Sequence, residues 1–135
     1  MLGLFHIGRR AAEQDGHRKA LAYLVERHGL DPGNAHVVVS PSISASSYKF
    51  PSISEEQKTN PAWEKYVCQD ESGMWHVDFR TRIIEELKGE GVRSDHVYVS
   101  PEDTGSGDRY FSHRQFKENQ QACGRNAVMF CLHSG

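Results

Sequence analysis

The sequence predicts an α+β fold in which duplicated β-α-β units form mixed sheets packed against helices, and three observations lead there. The hexapeptide His36-Val-Val-Val-Ser-Pro41 returns as His96-Val-Tyr-Val-Ser-Pro101, identical at five of six positions. An amphipathic helical pattern closed by glycine precedes each copy. The 135 residues, 37% of them hydrophobic and 25% charged, suit one domain spanning residues 1–135 with a lean core.

Each element has its own local reason. Leu2 to Ile7 reads as a short strand that ends at Gly8 and a pair of arginines. From Ala11 to about His28, the spacing of Ala20, Leu21, Leu24, Val25 and His28 predicts an amphipathic helix, stopped by Gly29 and the turn Asp31-Pro32-Gly33. His36 to Ser40 is a β-branched strand halted by Pro41. Ser42 to Pro51 is a serine-rich loop, and Asn60-Pro61 starts a short helix through Trp63 and Tyr66, with asparagine as cap and proline in the first turn. After the Ser72-Gly73 turn, Met74 to Val77 is a strand.

Asp78 caps a second amphipathic helix in which Phe79, Ile83, Ile84 and Leu87 share a face and Gly89 and Gly91 mark the end. His96 to Ser100 is the next strand, followed by the glycine-rich loop 103–108, the segment Tyr110 to Arg114, and a last strand from Asn126 to Leu132. Phe5-His6-Ile7 and Trp75-His76-Val77 stand at equivalent places before the two helices. Duplication predicts that the loops after the two Ser-Pro strand ends lie side by side and form one cleft.

Composition excludes several classes of function. The longest apolar run, Ala127 to Leu132, is far short of the roughly 20 residues of a membrane span. The N-terminus lacks the basic-then-apolar order of a secretory signal, which reads as a cytoplasmic chain. A formal net charge of -2 gives no bulk attraction to nucleic acid or anionic membrane. Cys68, Cys123 and Cys131 form no Cys-x-x-Cys pair and suit free thiols in a reducing compartment.

The residues that could carry chemistry cluster near the predicted strand ends. Eight histidines form no His-x-His pair and no His-Glu-x-x-His helix. Six of them, including His17, His36, His76 and His96, read as solvated or structural. His6 and His113 instead stand beside arginines, in His6-Ile-Gly-Arg-Arg10 and Phe111-Ser-His-Arg114. Arg10, Arg114 and Arg125 are candidates for an anion-binding cluster, because guanidinium forks clamp phosphate in two places at once. Asp103, after the second strand, is a candidate general base. Ser42, Ser44, Ser46 and Ser47 follow the first strand without a Gly-x-Ser-x-Gly elbow.

The order of these motifs resembles the C-terminal half of the laccase-domain, or polyphenol oxidase, family. There a strand ends in His-Ala-Gly-Trp-Arg-Gly, a later strand runs into Gly-Pro-Ser-Ile-Gly-Pro-Cys-Cys-Tyr-Glu-Val, and an Asp-Leu helix follows. A Cys-Thr pair, a Phe-Phe-Ser-Tyr/His-Arg-Arg motif, a Gly-Arg pair and an apolar strand close the pattern. Here the corresponding segments are His6-Ile-Gly-Arg-Arg-Ala11, Ser40-Pro-Ser-Ile-Ser-Ala-Ser-Ser-Tyr-Lys-Phe50, Asp78-Phe79, Asp103-Thr104, Tyr110-Phe-Ser-His-Arg-Gln115 and Gly124-Arg125. Arg9 replaces the family tryptophan, Ser46 and Ser47 the paired cysteines, Asp103 the cysteine of Cys-Thr, and Gln115 the second arginine.

The resemblance implies a zinc-dependent purine nucleoside phosphorylase with adenosine deaminase side activity. His6 would be its surviving zinc ligand or a proton-transfer group, with Arg10, Ser42, Ser46, His113, Arg114 and Arg125 at the substrate. The other two zinc ligands of the family, a histidine and a cysteine, belong to a half that this chain does not match. Another chain supplies them, or His113, His17 or Asp103 substitutes, or the site is free of metal. The expected ligand is a nucleoside or phosphate, and the expected partner a second copy or a chain carrying the other half. A degenerate half-domain that binds a ligand or partner without turnover is the alternative reading; a copper phenol oxidase fits least, since its ligand pairs are absent.

Overall fold

The structure, a computed structural model, describes residues 1–106, 109–112, 124, 126–129 and 131. Its first layer is two copies of one construction. Helix α2 (Gly16–His28) ends at Gly29, whose positive φ of 66° turns the chain out of the helix while its N–H bonds to Val25 O at 3.0 Å. A 3-10 turn, Pro32–Asn34, capped by the Asp31 side chain, leads into strand β1 (Val37–Val39). Helix α4 (Phe79–Gly89), capped by Asp78 accepting from Thr81 N–H, leads in the same way through Ser94–His96 to strand β5 (Val97–Val99).

The two copies lie side by side. β1 and β5 pair in parallel with equivalent positions opposite each other: Val37 with Val97, Val38 with Tyr98, Val39 with Val99. α2 packs on α4, and Leu21, Ala35, Leu87 and Val92 form a core that also takes up Val37 and Val97. Strand side chains alternate between faces, so Val38 and Tyr98 point away from the helices, and each is about half exposed (53% and 50%).

The remaining elements build a second core. α1 (Arg9–Glu13) precedes α2. Strand β2 (Lys49–Phe50), helix α3 (Glu55–Thr59), the 3-10 segment Pro61–Tyr66 and strands β3 (Val67–Gln69) and β4 (Trp75–Val77) follow β1. The strands pair antiparallel in the order β2-β4-β3. Ile53, Trp63, Tyr66 and Val77 fill this core, with Tyr48, Phe50 and Phe79 against them. α3 starts with a reciprocal cap: Gln57 N–H donates to Ser54 Oγ at 3.2 Å and Ser54 N–H to Gln57 Oε1 at 3.1 Å. Parallel and antiparallel sheets beside helices make the α+β fold that the sequence predicts.

Four boundaries differ from the sequence reading. Leu2 to Ile7 is in no strand; β1 and β5 pair only with each other among the described residues, so this segment finds no ladder, and Leu4 stays 65% exposed. The repeated unit is therefore helix-turn-strand rather than β-α-β. The single helix expected from Ala11 to His28 is broken into α1 and α2 at Asp15, which takes a left-handed conformation (φ 56°, ψ 34°). β2 lies within the expected loop Ser42 to Pro51, and α3 and β3 were not expected. Asn126 to Met129 and Cys131 are in no strand; the Asn126 side chain takes the pairing role instead, accepting from Phe111 N–H at 3.0 Å and donating to Phe111 O at 2.8 Å. Among the described residues no helix is long and apolar enough to cross a membrane.

Candidate functional site

Parallel strands deliver their following loops to one end of the sheet, the usual place for a ligand in such architectures. Here Pro41 and Pro101 end the ladder, yet Ser42 and Asp103 still form a parallel bridge beyond it, with Thr104 N–H donating to Ser42 O at 3.2 Å. The two loops therefore meet, as duplication predicts.

Asp103 ties them together. Its Oδ1 accepts the N–H groups of Ser44 (2.9 Å) and Gly105 (2.7 Å), and its Oδ2 accepts the hydroxyls of Ser44 and Ser47, both at 2.6 Å. The Ser44 hydroxyl proton is committed to Asp103, so Ser46 donates its own to Ser44 Oγ across 2.8 Å. Burial works to raise the Asp103 pKa, but the serine and backbone donors outweigh it and hold the carboxyl well below the usual carboxylate range. Gly105 belongs to this closure, because a Cβ there would stand 2.5 Å from Ser47 Cβ and 2.7 Å from Ile43 Cγ1.

Two residues from the neighbouring elements hold the loops from below. Arg80, in the first turn of α4, donates through Nε to Ser42 Oγ (3.0 Å) and through its terminal nitrogens to the carbonyls of Ser42 (2.5 Å), Glu102 (2.9 Å) and Ser100 (3.3 Å). No carboxylate among the described residues forms an ion pair with it. His76 on β4 faces Ala45 O through Nδ1 (3.0 Å) and Asp70 Oδ2 through Nε2 (2.8 Å), joining the serine loop to the β3–β4 turn.

The predicted site residues divide into three groups. Ser42, Ser46 and Asp103 are brought together as described. His6 and Arg10 are exposed on the irregular N-terminal segment and on α1. That segment is anchored through Arg9, whose guanidinium lies 4.5 Å above the Phe50 ring on β2, the strand that continues from the serine loop. His113, Arg114, Arg125 and Cys123 lie outside the described residues. Sequence reasoning missed Arg80 and passed over His76 as structural. The Asp78 cap fixes where α4 begins, but nothing in the sequence says that its first turn faces the two loops.

At His6 no two further donors join it among the described residues, so these residues do not fit the tetrahedral zinc that the resemblance implies. A carboxylate and histidine group does exist elsewhere: donor atoms of Asp15, His17 and Glu86 lie within 4.8 Å of one another. His17 Nε2 donates to Glu86 Oε2 at 2.5 Å, and the buried Arg82 donates to Asp15 Oδ1 (2.6 Å), to Ala12 O (2.6 Å) and across an ion pair to Glu86 Oε1 (2.9 Å). Arg82 already supplies a cation to both carboxylates, and its guanidinium also lies 4.0 Å above the Trp63 ring. Burial lowers the His17 pKa, and Glu86 pulls it part of the way back.

Comparison with known proteins bears on the fold and the family. The crystal structure of the Bacillus licheniformis hypothetical protein YfiH is similar to this chain with a TM-score of 0.68 at 18% sequence identity. The match covers 82% of this chain and 43% of that one, so this chain spans less than half of its length. No curated protein matches. The sequence profile described as multi-copper polyphenol oxidoreductase laccase matches residues 1–133, nearly the whole chain. Fold likeness and profile agree with the motif order from His6 to Arg125, and the chain belongs to the multi-copper polyphenol oxidoreductase laccase family.

Proposed function

We propose that this laccase-domain chain binds a purine nucleoside together with phosphate at the joined loops after β1 and β5, and promotes phosphorolysis there. The observation that carries this reading is the Arg80 guanidinium, held at the C-terminal end of the parallel pair by three carbonyls and a serine hydroxyl. No carboxylate among the described residues neutralises this guanidinium, an arrangement that favours an anion nearby. Arg10, Ser42 and Ser46 are the substrate-binding side chains in this reading, with His113, Arg114 and Arg125 completing the set.

In phosphorolysis a phosphate oxygen forms a bond to C1′ of the ribose as the bond from C1′ to the purine nitrogen breaks. The purine leaves with a proton, which His6 delivers. Phosphate is itself the nucleophile, so positioning and charge neutralisation carry most of the barrier reduction. Asp103 is not assigned the base: its two oxygens are occupied by four donors, and its role is to hold the loops. Any zinc would need donors beyond the described residues, and no step above passes through it. The free thiols Cys68 and Cys131 support a reducing, cytoplasmic setting.

A second reading, a half-domain that binds ligand without turnover, is favoured by the saturation of Asp103. Incubating the purified chain with inosine and phosphate separates the two. Phosphate-dependent release of base and ribose 1-phosphate, reduced at least about tenfold in Arg10→Ala, supports the enzyme. Nucleoside binding by calorimetry without product supports the binder, and neither binding nor product overturns both. Metal analysis runs alongside: near-stoichiometric zinc lost in His6→Ala assigns zinc to His6.

A further inference from the structure

We infer that His76 is a positioning residue for the serine loop, and that it grips the loop only while its imidazole carries a proton on both ring nitrogens. Nδ1 lies 3.0 Å from Ala45 O and Nε2 lies 2.8 Å from Asp70 Oδ2. A carbonyl oxygen accepts and cannot donate. Asp70 is an acceptor as well. Its Oδ1 takes the N–H and hydroxyl of Ser72 and the N–H of Met74, and the Ser72 hydroxyl together with His76 holds the carboxyl well below the usual carboxylate range. A neutral imidazole has one N–H and one lone pair, so it satisfies one of the two contacts and sets a lone pair against an oxygen at the other. The imidazolium satisfies both.

The strength of the two bonds decides which contact opens when a proton is lost. A bond to a carboxylate is charge-assisted and stronger than one to a carbonyl, so the remaining proton stays on Nε2 and Nδ1 releases Ala45. The groups that face the ring agree with a titrating clamp. Asp70, in direct contact, favours the second proton. Lys49 on the edge strand β2 and Cys68 on β3 stand opposite His76 in register, and the Lys49 charge opposes that proton. Residues 42–47 bring no acid or base of their own, and Arg80 of α4 reaches the loop at Ser42 O. After release Asp103 still holds Ser44 and Ser47, so the loop loosens without detaching. That the loosened loop also loses its grip on nucleoside through Ser46 rests on the function proposed above; the clamp itself does not.

Nitrogen NMR of the histidine rings in the full chain tests the clamp directly. As the pH rises from about 5 to about 9, His76 is expected to pass from a ring protonated on both nitrogens to one protonated on Nε2 alone. Over the same titration the amides of Ser47 and Tyr48, which bond back to Ser44 O and Ala45 O, should lose protection from hydrogen exchange by about fivefold or more, with intrinsic exchange rates divided out. His76→Gln does not titrate, and its protection at these two amides is expected to be low and level across the range. A ring neutral or charged throughout, a remaining proton on Nδ1, protection indifferent to the titration of His76, or a pH dependence that survives in a folded His76→Gln each overturns the proposal. The measurements on the unaltered chain decide the matter even where the variant does not fold. None of them uses nucleoside or phosphate, so the clamp and the phosphorolysis reading fail separately.

Discussion

Ser44 binds Asp103 twice, through its backbone N–H at 2.9 Å and its hydroxyl at 2.6 Å, one bond to each carboxylate oxygen. The contact joins loops 59 residues apart in sequence. Removing the carboxylate strands four donors at once. Asp103→Ala is therefore expected to cost about 1–3 kcal/mol, and Ser47→Ala, which removes one donor, about 1 kcal/mol. Urea denaturation followed by circular dichroism measures both; an Asp103→Ala variant as stable as the parent chain would show that the loops close without it.

The same carboxylate gives the fold an acid dependence. Its pKa in the folded chain lies below the unfolded value of roughly 3.9, so its stabilisation is complete above that value and is lost as the pH falls from there toward the folded pKa. Denaturation midpoints between about pH 5 and pH 2 should fall less steeply in Asp103→Asn than in the parent. Parallel slopes would remove Asp103 from the acid transition.

The repeat of His36 to Pro41 and His96 to Pro101 made the meeting of the two following loops legible in the sequence, because equal segments with equal helices behind them bury the same positions. Cap chemistry was legible as well: Asp78 and Asn60 cap where their side chains predict. What was hidden depends on contacts made at a distance. Leu2 to Ile7 has strand composition but finds no strand to pair with. The break at Asp15 is held by Arg82, 67 residues away, and no local pattern announces it. The clustering of Ser42, Ser46 and Asp103 followed from the duplication, whereas Arg80 became visible only once α4 was placed under both loops.

Gly105 sits where its neighbours leave no room for a side chain. A methyl group at 2.5 Å from Ser47 Cβ forces the loops apart, since real Cβ atoms do not approach so closely. Gly105→Ala is expected to destabilise the chain by roughly 1–3 kcal/mol and to loosen the serine loop. Faster amide exchange at residues 43–48 would register the loosening, and unchanged stability and exchange would refute it.

Arg82 is 4% exposed and joins three elements: α4, which carries it, the carbonyl of Ala12 at the end of α1, and Asp15 at the break. Arg82→Met keeps much of the volume over Trp63 but takes the Arg82 donor from Ala12 O and from Glu86 Oε1, leaving Glu86 only His17 on Oε2. The expected cost is about 3 kcal/mol, the lower end for breaking a buried ion pair because Asp15 remains partly in water. Chemical denaturation of the single variants and of Arg82→Met with Asp15→Asn gives the coupling. A coupling near zero would mean that the carboxylate does not fasten α1 and α2 to α4.

His17 is 3% exposed and donates to Glu86, and burial keeps its folded pKa below the unfolded value of about 6.5. Above that pH the imidazole is neutral in both states and contributes no pH dependence. As the pH falls below it, the unfolded chain takes up the proton more readily than the folded one, so stability decreases toward acid. The chain has seven other histidines, which is why the informative quantity is a difference between variants. His17→Gln keeps an amide donor for Glu86 and removes the titration, so its stability should decline less between about pH 7 and pH 5 than that of the parent chain. Thermal or urea unfolding at a series of pH values measures the two slopes. Equal slopes would mean that the folded chain accepts the proton on His17 as easily as the unfolded one, with Glu86 offsetting the whole cost of burial.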